Sequence, residues 1–160
     1  MKIQNIDDFD YEFIGFVLAC HLIIEKHMDE LLSSLSSVPD WESARLGFND
    51  KIKLLNHFKV SDKYHCMPGI RRLNQIRNKL SHNLSYSVPM ETYEPLKQFL
   101  ISSESTTNPE TIDFNDPKLI LKKFTERVSI LFAGATWGTD RKQRILSDWW
   151  AANKHDYIDN

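Results

Sequence analysis

Apolar residues recur at three- and four-residue spacing near the start of the chain, and this pattern constrains the fold more than any other. It begins near Tyr11 and ends near Leu35. Such spacing places side chains on one face of an α-helix, whereas a half-buried strand alternates every second residue. The sequence therefore predicts a helix over residues 11–35, capped at its start by Asp7, Asp8 or Asp10. The apolar stripe comprises Phe13, Phe16, Val17, Cys20, Ile24, Met28, Leu31 and Leu35.

The first half of this helix also carries apolar residues on its other side. We therefore expect it to be buried nearly all round, as a central helix or a subunit interface requires. His21 and Glu25 belong to the expected polar face, where they are four residues apart and form a surface pair. The additional apolar residues are Ile14, Leu18, Leu22 and Ile23.

No later segment alternates with the period of a strand, so the predicted fold class is all-α, a helical bundle of five or more helices. Asn49 is the expected N-cap of a second helix that ends near Lys59. Pro68 begins a third helix, because proline is tolerated at a first helical position. The buried stripe of this third helix comprises Ile70, Leu73, Ile76 and Leu80.

Three more helices are predicted beyond Pro89. One covers residues 90–101, although Pro95 lies awkwardly inside it. Asp116 and Pro117 form an N-cap and first-turn proline for the next. Gly134 and Gly138 should interrupt that helix, and a last helix should cover residues 141–154, which include two adjacent tryptophans that favour a core or dimer contact.

Length and composition predict one soluble domain over residues 1–160. The chain has 41% hydrophobic and 26% charged residues and only two cysteines, too few for a disulfide framework. The apolar run over residues 13–24 is too short to span a bilayer, and the acidic residues before it are unlike a signal peptide. These features favour a reducing, cytoplasmic location without a membrane role.

Charge is distributed unevenly along the chain. The net charge is −2 overall, but residues 1–40 carry −6, residues 41–90 carry +6 and residues 91–160 carry −2. A basic middle third offset elsewhere favours a local anionic site over a long nucleic-acid-binding track. The histidines and cysteines lack the spacing of metal ligands, so no metal and no cofactor is expected.

The basic region contains the most informative short segment, Arg77-Asn78-Lys79-Leu80-Ser81-His82. Arginine is a permanent planar cation suited to phosphate, and histidine ionises near neutral pH. Such a pair can bind a phosphodiester and transfer protons around it. The alternative is a helix end whose basic last turn complements the helix dipole, and spacing alone favours that alternative.

This segment resembles the R-x(4–6)-H motif of the HEPN superfamily, small all-helical proteins that include many RNA-cleaving toxins. The likeness covers roughly residues 10–100. The apolar pattern from Leu46-Gly47-Phe48 to Ile76 is similar to the mannitol-operon-repressor branch. The resemblance implies an RNA substrate, a homodimer in which two motifs meet, and an antitoxin or other regulatory partner. Leu84 stands where antitoxin-regulated members carry a tyrosine, which puts that mode of regulation in doubt.

Each residue of the motif has a chemical role if the chain is a metal-independent ribonuclease. His82 is the candidate general acid or base, and Arg77 is the candidate phosphate ligand that stabilises the transition state. Asn78 is expected to orient His82 or donate to the phosphate. The remaining candidates are Arg71 and Lys79 for the RNA backbone, with Glu25 (from the resemblance) and Ser81 as support.

Helical geometry sets a condition on that site. At 100° per residue, Arg77 lies about 140° from His82 on an unbroken helix, so the two cannot face one phosphate. Either the helix ends at Ser81 and His82-Asn83 turns back, with Asn83 in the left-handed conformation, or a second subunit completes the site. The rival interpretation is a non-catalytic regulator or assembly module resembling the mannitol-operon repressor.

Overall fold

The computed structural model describes residues 6–35, 45–57, 65–104 and 111–153; the side chains of Ile6, His57 and residues 139–153 lie outside the description. The described chain forms five α-helices and no strand, which confirms the all-α prediction. The helices are α1 (Tyr11–Leu35), α2 (Phe48–His57), α3 (Met67–His82), α4 (Glu94–Ser102) and α5 (Pro117–Asn153), with 3₁₀ turns at Ile6–Asp8 and Met90–Tyr93.

Helix α1 has the predicted bounds, but within one chain it is not buried all round. Asp10 caps its start, because the Asp10 Oδ1 atom accepts a hydrogen bond of 2.9 Å from the backbone N–H of Phe13. The inner stripe is buried as expected. Leu18, Leu22 and Ile23 on the opposite side are 41%, 54% and 45% exposed. Within the described part of one chain, an apolar face of α1 is therefore uncovered.

Asn49 is not the N-cap of α2, contrary to the prediction. The helix begins at Phe48, one residue before Asn49. The Gly47 carbonyl accepts hydrogen bonds from the N–H groups of Asp50 and Lys51. Asn49 instead lies in the first turn, where its side chain is available for a contact with α3. The predicted end of the helix, near Lys59, lies outside the described residues.

Proline positions explain the boundaries of α3 and α4. Pro68 lies in the first turn of α3, as predicted. The segment predicted as one helix over residues 90–101 is divided into a 3₁₀ turn and α4, and Pro95 occupies the first turn of α4. Proline is tolerated there because the first-turn N–H groups have no intrahelical partner.

Helix α5 is continuous to Asn153, so the predicted interruption at Gly134 and Gly138 is wrong. Its start is as predicted, since Asp116 Oδ1 accepts from the backbone N–H groups of Lys118 and Leu119 at 2.9 and 3.2 Å. A glycine inside a helix costs only about 1 kcal/mol relative to alanine. Two isolated glycines are therefore insufficient to end a long helix. The side chains of Trp149 and Trp150 lie outside the description.

The core is one cluster to which all five helices contribute. Helix α1 packs against α5, α3 and α2, while α4 packs between α3 and α5. Gly69 of α3 lies against the Phe124 ring of α5, and any Cβ atom at this position would overlap that ring. None of the described helices has the length and apolarity needed to cross a membrane.

Candidate functional site

Helix α3 positions the motif by burying its apolar stripe. Ile70, Leu73, Ile76 and Leu80 are at most 3% exposed and pack into the core. Most of the residues between them are left at the surface or on the shoulder of the stripe, whereas Asn74 is buried. Because this packing fixes the rotation of the helix, the directions of Arg77 and His82 are fixed with it.

Arg77 lies on the α1 side of the helix and is half-buried. Its Nη1 atom donates a hydrogen bond of 2.9 Å to Asn78 Oδ1. The guanidinium side chain lines a cavity of about 160 Å³ between α1 and α3, together with Leu18, Leu80 and Ser81. Arg77 and Asn78 are thus brought together, and Arg77 lies beside the uncovered apolar face of α1.

His82 is exposed at the last position of α3 and has no hydrogen-bond or ion-pair partner among the residues the structure describes. The expectation that the helix ends at Ser81 and that Asn83 is left-handed is wrong. Asn83 is extended, with φ of −146°, and its N–H bonds the Lys79 carbonyl. Ser81 donates to the Asn78 carbonyl at 2.8 Å, a local bond that leaves its hydroxyl committed to the helix.

Arg77 and His82 therefore remain on different faces of one continuous helix. Five residues of α-helix rotate the second side chain by about 140° from the first, and no bend intervenes before Asn83. Within one chain the structure brings Arg77 to Asn78, and it does not bring Arg77 to His82. Of the two arrangements considered from the sequence, the turned-back helix end is not observed, and completion by a second subunit stays a prediction.

The other basic candidates lie on the surface near the motif. Arg71 and Lys79 are both exposed. The Lys79 Nζ atom donates to the Tyr86 hydroxyl at 3.3 Å and lies 5.1 Å from the centre of that ring. Lys79 is thus held toward the loop that follows α3, whereas Arg71 lies about three helical turns before His82, the end of the motif.

The sequence did not predict the buried polar network beside the motif. His21 is only 4% exposed, so its assignment to the surface of α1 is wrong. His21 Nε2 lies 3.1 Å from Asn74 Oδ1, and Asn74 Nδ2 donates to Asn49 Oδ1 at 3.3 Å. The His21 ring stacks on Phe48 with 4.2 Å between ring centres. Three helices are joined by this chain of contacts.

Glu25 belongs to the same network rather than to the motif. The Lys51 ammonium lies 2.9 Å from Glu25 and 2.8 Å from Asp29, and His21 Nδ1 lies 3.9 Å from Glu25 Oε2. Burial alone would lower the pKa of Lys51, but the hydrogen bonds that its ammonium donates to Asp29 and Glu25 raise the pKa above its ordinary value. Lys51 is therefore charged, and its salt bridges join α2 to α1.

Burial lowers the pKa of His21 below its ordinary value of 6.5. The contact with Asn74 and the charge of Glu25 oppose this shift, while the charge of Arg77 adds to it. His21 is consequently neutral near pH 7. One sequence signal pointed toward the network, the four-residue spacing of His21 and Glu25. The partners on α2 and α3 are too distant in sequence to be paired by spacing.

Within the described ranges, no group of three or more His, Cys, Asp or Glu side chains is arranged to hold a metal ion. Both cysteines, Cys20 and Cys66, are unpaired as disulfides and buried. Burial raises the pKa of Cys66 to about 12, so this thiol is not a nucleophile near neutral pH. Comparisons of the chain with protein-family models, with curated proteins and with solved structures find no match.

Proposed function

We propose that the protein is a metal-independent endoribonuclease of the HEPN toxin or defence type that acts as a two-fold homodimer in the cytoplasm. The observation that carries the proposal is the continuous motif helix: Arg77 faces α1, and His82 is exposed at the helix end without a partner within the described residues. Among the side chains that the structure describes, neither residue has an ion-pair partner, so both are available for a phosphate and a proton in this proposal.

A second copy placed against the uncovered face of α1 resolves the angular separation of Arg77 and His82. Leu18 contributes both to that face and to the cavity that Arg77 lines. A two-fold contact at this face brings each motif close to its own copy. Arg77 of one chain and His82 of the other then complete one site, while the apolar face is removed from water.

The proposed reaction requires one proton acceptor and one cation. His82 takes the proton of the ribose 2′-hydroxyl, and the 2′-oxygen attacks the adjacent phosphorus while the bond to the 5′-oxygen breaks. The guanidinium of Arg77 stabilises the charge that develops on the phosphoryl oxygens. Asn78 fixes the Arg77 guanidinium through its 2.9 Å hydrogen bond. Once protonated, His82 returns a proton to the leaving 5′-oxygen, and the product ends in a 2′,3′-cyclic phosphate.

Two exposed cations extend the proposed site along the RNA. Arg71 and Lys79 contact backbone phosphates, which makes binding dependent on salt concentration. A separate antitoxin or regulatory protein is proposed as the partner that restrains the activity. The supporting acid, Glu25, acts only through the network of Lys51 and His21.

The test is cleavage of single-stranded RNA by purified protein in the presence of a chelator. We expect cleavage to persist in chelator and to be abolished by His82→Ala. His65→Ala is the matched control, because His65 is exposed and lies outside the motif. Cleavage that survives His82→Ala, or that requires a divalent metal, rejects the proposed mechanism. A correctly folded protein without cleavage would favour the regulator or assembly module.

A further inference from the structure

A second cavity, of about 370 Å³, lies where the start of α1, the loop after α3 and the start of α5 meet. Its volume falls within the usual range for small-molecule sites, about 300–1,000 Å³. Its walls include two carboxylates, Asp8 and Asp10, and three aromatic rings, Phe13, Tyr86 and Tyr93. The lining of this cavity is therefore acidic and aromatic, whereas the exposed surface of α3 is basic.

The cavity adjoins the end of the motif helix. Leu84 is one of its lining residues and follows His82 by two positions, so their Cα atoms are at most about 7.6 Å apart. Lys79 also reaches the cavity wall, because its ammonium contacts the Tyr86 hydroxyl at 3.3 Å. A nucleotide whose phosphate lies at His82 can therefore place a neighbouring base at the cavity.

The carboxylates determine which groups can enter. Asp10 accepts a backbone N–H through Oδ1, and no cation of the described chain is in ion-pair range of it; Lys118 instead binds Glu12 at 2.7 Å. Carboxylates accept hydrogen bonds and repel phosphate. The ligand group in this cavity must therefore supply hydrogen-bond donors and carry no negative charge.

Tyr93 provides an independent sign of an unfilled site. Its side chain is completely buried in the cavity wall, and its hydroxyl has no hydrogen-bond partner among the described residues. Burial, followed by the effect of nearby Tyr86, raises the pKa of Tyr93 to about 12, so the hydroxyl is neutral and able to donate. Buried hydroxyls nearly always have partners, and a ligand can supply the missing one after a small shift of the Tyr93 ring toward the cavity, because the hydroxyl itself has almost no accessible surface.

We propose that this cavity is a base-binding subsite that takes guanine from single-stranded RNA. Guanine presents two adjacent donors, N1–H and the N2 amino group, to one carboxylate. Adenine and cytosine place a ring acceptor beside their amino group, and uracil flanks one donor with carbonyl oxygens. The Tyr86 ring supplies the stacking surface on which unpaired bases are bound, and the Tyr93 hydroxyl donates to a guanine acceptor. This inference rests on the proposed function.

The first experiment titrates the intact protein with guanosine, adenosine, cytidine and uridine, which lack the phosphate that the motif would bind. Guanosine should bind most tightly, and Asp10→Asn should weaken it at least about tenfold through loss of the paired acceptor. Asparagine caps helices as well as aspartate does, so α1 should remain intact. Asp116→Asn is the matched control, because Asp116 also caps a helix and does not line the cavity.

Tyr93→Phe provides a second variant in which the fold is preserved, since it removes only an unpartnered hydroxyl. We expect guanosine affinity to fall about five- to tenfold, as for loss of one hydrogen bond. Equal binding of all four nucleosides, or equal effects of Asp10→Asn and Asp116→Asn, would overturn the subsite. Unchanged affinity in Tyr93→Phe would overturn the role given to that hydroxyl.

Experiments with RNA oligonucleotides test whether the ligand of the cavity is RNA or a free nucleotide. They also allow the base-binding subsite and the proposed ribonuclease activity to fail separately. Uridine-rich RNAs with one central guanine or one central adenine are bound to His82→Ala and cleaved by the unmodified protein. Preferred binding of the guanine-containing RNA, together with cleavage beside that guanine, supports both the guanine subsite and the ribonuclease activity. Guanosine binding without RNA cleavage contradicts the ribonuclease and leaves the subsite standing. Guanosine binding without preferred binding of the guanine RNA contradicts an RNA subsite.

Discussion

Arg77 carries its charge on a planar group that is hydrogen-bonded to Asn78. A lysine at this position keeps the charge and loses the two parallel donors that match a phosphate. We expect Arg77→Ala to reduce RNA cleavage by about 100- to 1,000-fold, the usual effect of removing one transition-state contact. Arg77→Lys should recover part of that loss.

Cleavage rates under single-turnover conditions measure these effects. Lys97→Ala, which removes a cation outside the motif, is the control and should cleave at the unmodified rate. Full activity in Arg77→Lys would show that only the charge is needed, and it would exclude bidentate phosphate binding.

Asn74 determines the stability of the polar network because it joins His21 to Asn49. Asn74→Ala leaves a buried imidazole nitrogen without its partner, and we expect the free energy of unfolding to fall by about 1–3 kcal/mol. Gln75→Ala on the exposed face of the same helix should change it by less than about 0.5 kcal/mol. Urea denaturation measures both variants, and equal effects would contradict a structural role for the network.

The lowered pKa of His21 also predicts how stability depends on pH. The unfolded chain binds a proton near pH 6.5, whereas the folded chain binds it only at lower pH. The unfolded state therefore binds more protons below about pH 6.5, so the free energy of unfolding falls as the pH is lowered through this window. The groups that influence His21 are Asn74, Glu25, Arg77 and Lys51.

His21→Gln should reduce this dependence, because it removes the titrating group. Urea denaturation between pH 7 and pH 5 measures the free energy of unfolding of both proteins. The difference between them isolates His21, because the groups that titrate in both proteins contribute equally. A steeper loss of stability in His21→Gln than in the unmodified protein would contradict the inferred direction of the pKa shift.

Residue types and spacing predicted the motif residues, but they did not predict the network. Arg77, Asn78 and His82 are close in sequence, so their relative directions follow from helical geometry alone. His21 and Asn74 are 53 residues apart, and their contact depends on how α1 and α3 pack. A histidine on a helix with acidic neighbours has the same local pattern whether it is buried or exposed.

The starts of α1 and α5 were predicted from the sequence, whereas the N-cap Asn49 of α2 and the interruption of α5 were wrong. Asp10 and Asp116 each carry a capping side chain whose bond to the first turn depends only on local residues. Glycine is a weaker signal, because its cost in a helix is small compared with the packing that holds α5 in place. Gly134 and Gly138 therefore lie inside a helix that the local pattern alone would have divided.

Replacing these two glycines should stabilise the protein. Neither Gly134 nor Gly138 would place a Cβ atom within 4 Å of a described neighbour. Each substitution by alanine should raise the free energy of unfolding by about 0.4–1 kcal/mol, because it restricts the unfolded chain without strain. Gly69→Ala is the contrasting variant and should destabilise, since its Cβ would lie 2.6 Å from Phe124 Cζ. Thermal unfolding measures the stability of all three variants. A Gly69→Ala protein as stable as the Gly134→Ala and Gly138→Ala proteins would contradict the packing described for α3 and α5.

At the scale of the whole molecule, the uncovered face of α1 and the separation of Arg77 from His82 have one common explanation. The proposed two-fold dimer would cover Leu18, Leu22 and Ile23 and would complete each site from two chains. If so, Arg77→Ala and His82→Ala are defective in different halves of the site. A dimer containing one chain of each variant then has one site with both residues intact and one with neither.

Mixing the two inactive variants after unfolding and refolding them together should therefore restore RNA cleavage. Equal amounts give mixed dimers in half of the molecules, each with one intact site of two, so about a quarter of the unmodified activity is expected. Introducing Leu22→Glu into both variants is the control, because a charge in the apolar contact should separate the chains and prevent recovery. Light scattering reports the association state in each case. If the mixture stays inactive while the variants form dimers, Arg77 and His82 do not meet across the subunit contact, and the composite site is wrong.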